Sequence, residues 1–261
     1  MIEVIKSADD LARQNWDVLV PTMGALHAGH ESLIKLAKTR GDQVIVSIFV
    51  NPLQFENKED LLNYPKTIDS DLKIVAGAGA SAVFLPSESE IYSAGYKKIE
   101  AGGVGEIYEG KSRSGHFAGV LTVVNRLFDL VKPKYAIFGE KDFQQLFLIK
   151  QMAKKLPVPV EILSAPIVRD TNGVALSSRN SKLGDNGIKT ASVIHRALSL
   201  GNVERARQVI KSEPDFKADY LEMIDENTFD LAKEDTENKR LIIAGWINQV
   251  RLIDNMAMGS K

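Results

Sequence analysis

The sequence predicts an α/β protein: a parallel sheet with helices on both faces, followed by a smaller C-terminal α+β domain with a short antiparallel sheet. Three observations carry this prediction. Up to residue 165, strand-sized apolar runs alternate with helical patterns, the order that builds a parallel sheet. Residues 43–50, QVIVSIFV, are apolar on both faces, as a central parallel strand should be. After Pro166 the texture changes to amphipathic helices followed by three short strands, with no helix long enough to cross between the last two.

The elements follow in order. Residues 17–20 form a short buried strand that stops at Pro21 and Gly24, and the helical pattern after it puts Leu33, Ile34 and Ala37 on one face. Residues 69–78 read as a helix and 82–85 as a strand. A strongly apolar helix at 117–131 precedes a strand at 135–138, a helix at 143–156 and a strand at 158–163. Beyond them, helices are expected at 182–200 and 203–211, and strands at 217–223, 240–244 and 249–253. The boundary falls near Pro166 and Ile167, giving domains 1–167 and 168–261.

Composition narrows the function. A length of 261 residues suits one or two domains, and 44% hydrophobic residues can bury a sizeable core. Lys plus Arg is 33 and Asp plus Glu is 34, so the net charge is 33 − 34 = −1. That gives no global basic field for nucleic acid or an anionic membrane. The absence of cysteine excludes disulfides, thiolate metal sites and a Cys nucleophile. Residues 1–15 have no apolar signal region and no apolar run reaches membrane-spanning length, so a soluble cytoplasmic protein is expected.

Four segments carry chemistry. Residues 21–30, PTMGALHAGH, join the first strand to the first helix, on the sheet edge where ligands collect. Met23 and Gly24 open this turn. His27 and His30 share a face, and free amides at the helix start would favour an anion beside them. A zinc site is the rival reading, but no third ligand is evident nearby. Residues 49–55, FVNPLQF, leave the central strand on the same edge and offer Gln54, either as a ligand amide or as a loop residue meeting backbone. Residues 138–145, FGEKDFQQ, leave another strand. Lys141 can meet a phosphate as a point charge, and Asp142 suits a ribose hydroxyl or a helix cap. Residues 168–170, VRD, then 174–180, VALSSRN, supply hydroxyl and guanidinium donors suited to a polyphosphate, or an ST-turn capping the next helix. A basic, glycine-rich stretch at 110–120 reads as a flap or a further anion contact. His195, on a helix without motif neighbours, reads as structural.

Together these segments resemble the pantothenate synthetase (pantoate–β-alanine ligase) family. The likeness spans most of residues 17–200 and returns at 251–255, RLIDN. The first motif alone would indicate only the wider HxGH nucleotidyltransferase class with its Rossmann-like ATP fold. The resemblance implies ATP-dependent condensation of pantoate with β-alanine through a pantoyl adenylate, releasing pyrophosphate and AMP. It implies that 1–167 binds ATP and pantoate, that 168–261 is a lid domain, and that the protein is a homodimer. His30 matches the proton donor and His27 its partner on the phosphates, within an ATP segment that includes Met23 and Gly24. Gln54 and Gln145 match the pantoate glutamines, Gln54 also lying toward β-alanine. Gly139, Lys141 and Asp142 match ATP ribose and phosphate contacts, and Val168 a backbone contact to adenine. Leu176, Ser177, Ser178 and Arg179 match the phosphate-binding loop, with Leu176 in place of a frequent methionine. Arg113 falls in the mobile flap. Catalysis is thus expected from His27, His30, Lys141 and Arg179. Mg²⁺ is expected on the ATP phosphates, keeping most of its water and needing no carboxylate cage. Asp69 and Asp71 could touch it or could cap a helix. The rivals are a nucleotidyltransferase that stops at an adenylyl or cytidylyl product, and a nucleotide sensor without turnover.

Overall fold

The computed structural model describes residues 2–157 and 160–259. The chain divides into two compact units, one of residues 1–139 and 144–165, the other of 140–143 and 166–261.

The first unit holds a six-stranded, wholly parallel sheet: β1 (Glu3–Ile5), β2 (Val18–Thr22), β3 (Val44–Ile48), β4 (Ala82–Phe84), β5 (Tyr135–Gly139) and β6 (Glu161–Ala165). Their order is β1-β4-β3-β2-β5-β6. Every residue of β3 is buried, which is why its sequence, Ser47 apart, is apolar without alternation. The longer helices are α1 (Ala28–Lys38), α2 (Ile68–Gly77), α3 (His116–Val131) and α4 (Phe143–Ala153). α1 buries Leu33, Ile34 and Ala37, the predicted stripe, against β2, β3 and β5. Two departures from the sequence reading are local. β1 was not expected: three residues, two of them exposed, give no readable period, and pairing with β4 alone defines the strand. The last strand lies at 161–165 rather than 158–163. Val158 and Pro159 fall outside the described residues.

The second unit packs α5 (Gly184–Leu198) and α6 (Val203–Lys211) on an antiparallel sheet of β7 (Phe216–Asp225), β8 (Lys239–Ile247) and β9 (Val250–Met258), in the order β7-β8-β9. Its core gathers Leu198, Phe216, Leu241 and Ile243 among others. The first predicted helix, 182–200, is divided: a 3-10 turn, Ser178–Lys182, precedes α5. The strands run longer than predicted because each continues into a regular ladder with its neighbour. Among the described residues no helix is long and apolar enough to cross a membrane.

Candidate active site

In the first unit the chemistry-bearing loops leave the carboxyl ends of β2 and β3, and the sheet opens where β2 and β5 part. β2 pairs with β3 along its whole length, from Val18 to Thr22, but with β5 only at Val18 and Leu19. The Val18 amide donates to Gln43, on the β3 side. Alternation then turns the amides of residues 19 and 21 toward β5. Residue 21 is proline and has no N–H, so the next rung toward β5 cannot form. This is the topological switch point of the sheet, where a ligand crevice is expected.

The loop leaving β2 is held in an unusual shape. Gly24 has φ +83° and Ala25 φ +52°. A Cβ at Gly24 would lie 3.0 Å from Asp71 Oδ2 and 3.2 Å from Ile48 Cγ2. Asp71, on α2, is 1% exposed. Its Oδ2 accepts from the Ala25 amide (3.1 Å), and its Oδ1 from the Leu26 amide (2.8 Å) and the Thr67 hydroxyl (3.0 Å). The carboxylate thus clamps the turn from behind. Of the two sequence readings of Asp71, the helix cap is not what forms: its oxygens serve the loop amides and the Thr67 hydroxyl.

His27 is the N-cap of α1, not a residue of its first turn, and the two rings pack with centroids 4.2 Å apart. His27 Nδ1 accepts from the Gly29 amide (3.1 Å), and His30 Nδ1 accepts from the His27 amide (3.3 Å). This reciprocal capping box corrects the expectation of free amides at the helix start: the Gly29 donor is taken by an imidazole. It also fixes the tautomers. A nitrogen that accepts carries no proton, so each ring's proton sits on Nε2 and each ring presents a donor there.

Gln54 ends a 3-10 turn, Pro52–Gln54, after β3 and is 7% exposed. Asn51 orients it. The Asn51 Oδ1 accepts from the Leu53 amide and the Tyr92 hydroxyl, while Nδ2 donates to Gln54 Oε1 (3.1 Å) and the Gly119 carbonyl (3.1 Å). The Gln54 Nε2 end therefore turns the other way, to 2.9 Å from Met23 Sδ. Burial pushes the Tyr92 phenol above its usual range, with nearby Tyr96 and Glu88 adding to the shift, so Tyr92 stays a donor. Arg113 Nη1 lies 3.0 Å from His116 Nε2. Arginine can only donate, so His116 Nδ1 carries the proton and donates to the Gln54 carbonyl at 2.9 Å. Gly119 lets α3 approach this turn, since a Cβ there would sit 2.2 Å from the Leu53 carbonyl oxygen.

The adjacent glutamines on α4 differ. Gln144 is buried, accepts from the Glu109 amide and donates to the carbonyls of Val104 and Ile107. Gln145 is half-buried and its amide makes no hydrogen bond to another described residue. Gly139 ends β5, opposite Ala165.

In the second unit, Lys141 and Asp142 lie on the 3-10 turn Glu140–Asp142, with Lys141 Nζ 3.5 Å from Asp142 Oδ1. Val168 and Leu176 face each other across a tight hairpin, and the Leu176 amide donates to the Val168 carbonyl. Arg169 beside them makes a two-pronged ion pair with Asp254 on β9. Ser177 caps the following 3-10 turn, its Oγ accepting from the Arg179 amide at 3.2 Å, so the ST-turn is present. The Ser177 hydroxyl proton remains to be donated elsewhere. Ser178 and Arg179 open the same turn, which Asn180 ties back to the Ala175 carbonyl. Sequence reading missed Asn51, Asp254 and Asn255 as organisers. The return of the family pattern at 251–255 was the only signal for the last two. Among the described residues no three His, Asp or Glu side chains converge to hold a metal.

The family model for pantoate–β-alanine ligase matches residues 2–257. The chain is 42% identical to the pantothenate synthetase of Moorella thermoacetica, covering 92% of this chain and 90% of that one. It is 44% identical to that of Mycolicibacterium smegmatis, covering 92% and 80%. The crystal structure of the pantothenate synthetase from Thermus thermophilus superposes with a TM-score of 0.92 at 36% identity, covering 98% and 99% of the two chains. The Francisella tularensis pantoate–β-alanine ligase, solved with βγ-ATP and β-alanine, matches with a TM-score of 0.83 at 38% identity, covering 98% and 97%.

Proposed function

Since the chain belongs to the pantoate–β-alanine ligase family, we propose that its donors serve the two steps of an ATP-dependent condensation. The protein is an enzyme that joins pantoate and β-alanine at the expense of ATP. In our reading the pantoate carboxylate attacks the α-phosphorus and pyrophosphate leaves. The β-alanine amine then attacks the acyl carbon of the pantoyl adenylate and AMP leaves. The chain needs no nucleophile of its own; it must hold the reactants and meet the charge that builds on the leaving oxygens.

The observation that carries this reading is the His27–His30 capping box. It sets two Nε2 donors at the N-terminus of α1, the helix that follows β2, whose pairing with β5 stops at Leu19. Their hydrogen bonds gain most as pyrophosphate departs. Lys141 and Arg179 supply cationic donors to the phosphates, with Ser177 and Ser178 as neutral ones and Met23, Gly24, Gly139, Asp142, Val168 and Leu176 completing the nucleotide contacts. Gln54 and Gln145 take pantoate: neutral amides match a hydroxy acid without adding a competing charge. Arg113 acts beside Gln54 through His116.

Mg²⁺ travels with the ATP phosphates in this reading. The described residues do not fit a protein-built site for it, because the buried Asp71 carboxylate already serves two amides and a hydroxyl. A homodimer in the cytoplasm completes the proposal. The test is pantoate-dependent exchange of labelled pyrophosphate into ATP without β-alanine. His30→Ala should lower it ~10²–10³-fold, the usual cost of one well-placed donor. Exchange at the wild-type rate, with net pantothenate synthesis collapsed, would move His30 to the amine step. A protein forming no AMP with all three substrates would be a sensor.

A further inference from the structure

We propose that Asn255, on β9, is a positioning residue for Lys141. The inference rests on the reading of Lys141 as a phosphate contact. Asn255 is 2% exposed. Its Nδ2 donates to the carbonyls of Glu140 (2.9 Å) and Lys141 (3.0 Å), the two peptide units that carry the lysine. Its Oδ1 accepts from Arg240 Nη1, and a guanidinium only donates, so the amide cannot be flipped. Arg240 is fixed in turn: Nε donates to Glu226 at 2.7 Å, and the guanidinium lies 4.0 Å over the Phe143 ring. Phe143 also stacks on Phe229, with ring centroids 6.0 Å apart. The turn is therefore gripped twice, through its carbonyls by Asn255 and through the ring that follows it by Arg240.

The grip matters because Lys141 is a point charge on a flexible stem. Where its ammonium lands is set by the stem's root, since the charge itself has no directional fork. A turn free to shift by an ångström would spread the ammonium over positions that meet the phosphate poorly. β9 packs against the 178–182 turn as well, and its Asp254 holds Arg169 of the hairpin. The same strand thus references three of the second unit's candidate segments to one rigid ladder. Serving as that reference is a role distinct from touching substrate.

The experiment is a double-mutant cycle on pantoate-dependent pyrophosphate exchange, with melting followed in parallel. Asn255→Asp keeps the side chain's shape and its acceptor for Arg240 but loses both donors to the turn. It should lower exchange and raise the ATP KM at least about tenfold, since both hydrogen bonds to the turn are lost, with the pantoate KM unchanged. In a Lys141→Ala background the same substitution should change exchange less than about twofold, because the residue it positions is gone. An equal drop in both backgrounds overturns the proposal. Lys141→Ala with wild-type exchange instead overturns the reading of Lys141, a separate result. If Asn255→Asp does not fold, Asn255→Ser, smaller and neutral, is read by the same two criteria.

Discussion

Asp71→Asn is the sharpest test of how the first motif is held. The carboxylate serves three donors with two oxygens: Oδ2 takes the Ala25 amide, and Oδ1 takes the Leu26 amide and the Thr67 hydroxyl. Asparagine has one oxygen and one NH₂. The better orientation keeps the oxygen on Leu26 and Thr67 and sets the NH₂ against the Ala25 N–H, donor facing donor. One bond is lost and a partly buried amide is left without an acceptor, which costs about 1–3 kcal/mol. Ala25 sits at φ +52°, a conformation that costs a non-glycine residue about 1–2 kcal/mol and that the clamp now offsets. Losing the clamp lets the turn relax, and the His27 cap that follows it moves. We expect pyrophosphate exchange to fall about 10–100-fold, in line with ~1.4 kcal/mol per decade, and the melting temperature to drop. The experiment is repeated over a range of Mg²⁺. A metal ligand would show a raised Mg²⁺ requirement and recovery at high Mg²⁺; a backbone clamp would show neither. Recovery by Mg²⁺, or exchange at the wild-type rate, would refute the argument.

Three further outcomes are expected. Gln145→Ala should raise the pantoate KM with little change in melting, while Gln144→Ala should lower the melting temperature through three lost bonds to residues 104–109; the reverse pattern would exchange their roles. Gly119→Ala should destabilise the fold by about 1–3 kcal/mol despite a better helix residue, because its Cβ meets the Leu53 carbonyl, and should raise the pantoate KM by displacing Gln54; kinetics and melting unchanged from wild type would show that the approach is not tight. Asp17 is held below its usual 3.8 by its hydrogen bond from Lys134, then by that from the Gln43 amide. A lowered native value means this contribution is present above about pH 3.8 and is lost as pH falls through the native value. Denaturant titrations should therefore show Asp17→Asn less stable than wild type at neutral pH, with the gap closing in acid, and a gap constant down to pH 2 would contradict the pairing.

The parts legible in the sequence are those in which local chemistry and fold agree. β3 reads as central because every residue of it is buried, and the stripe on α1 reads correctly because helical period and core face coincide. The motif residues are visible because a histidine pair or a Ser-Ser-Arg run is rare enough to stand out. What stayed hidden is the apparatus that holds those residues. Asp71 lies 46 positions from the Ala25 amide it accepts from, and Asn255 lies 114 from Lys141, so no window of sequence contains either pair. Nor does residue type distinguish them: an aspartate in a helix's first turn reads as a cap, and an asparagine within a strand carries no mark of what it will hold. The glutamines show the same limit at closest range. Gln144 and Gln145 are neighbours of one type, and successive helix residues point about 100° apart, so one turns toward the carbonyls of Val104 and Ile107 while the amide of the other makes no hydrogen bond to another described residue. Sequence can nominate the groups that meet the substrate, but the choice between two identical neighbours is made by carbonyls roughly 40 residues away that turn toward only one of them.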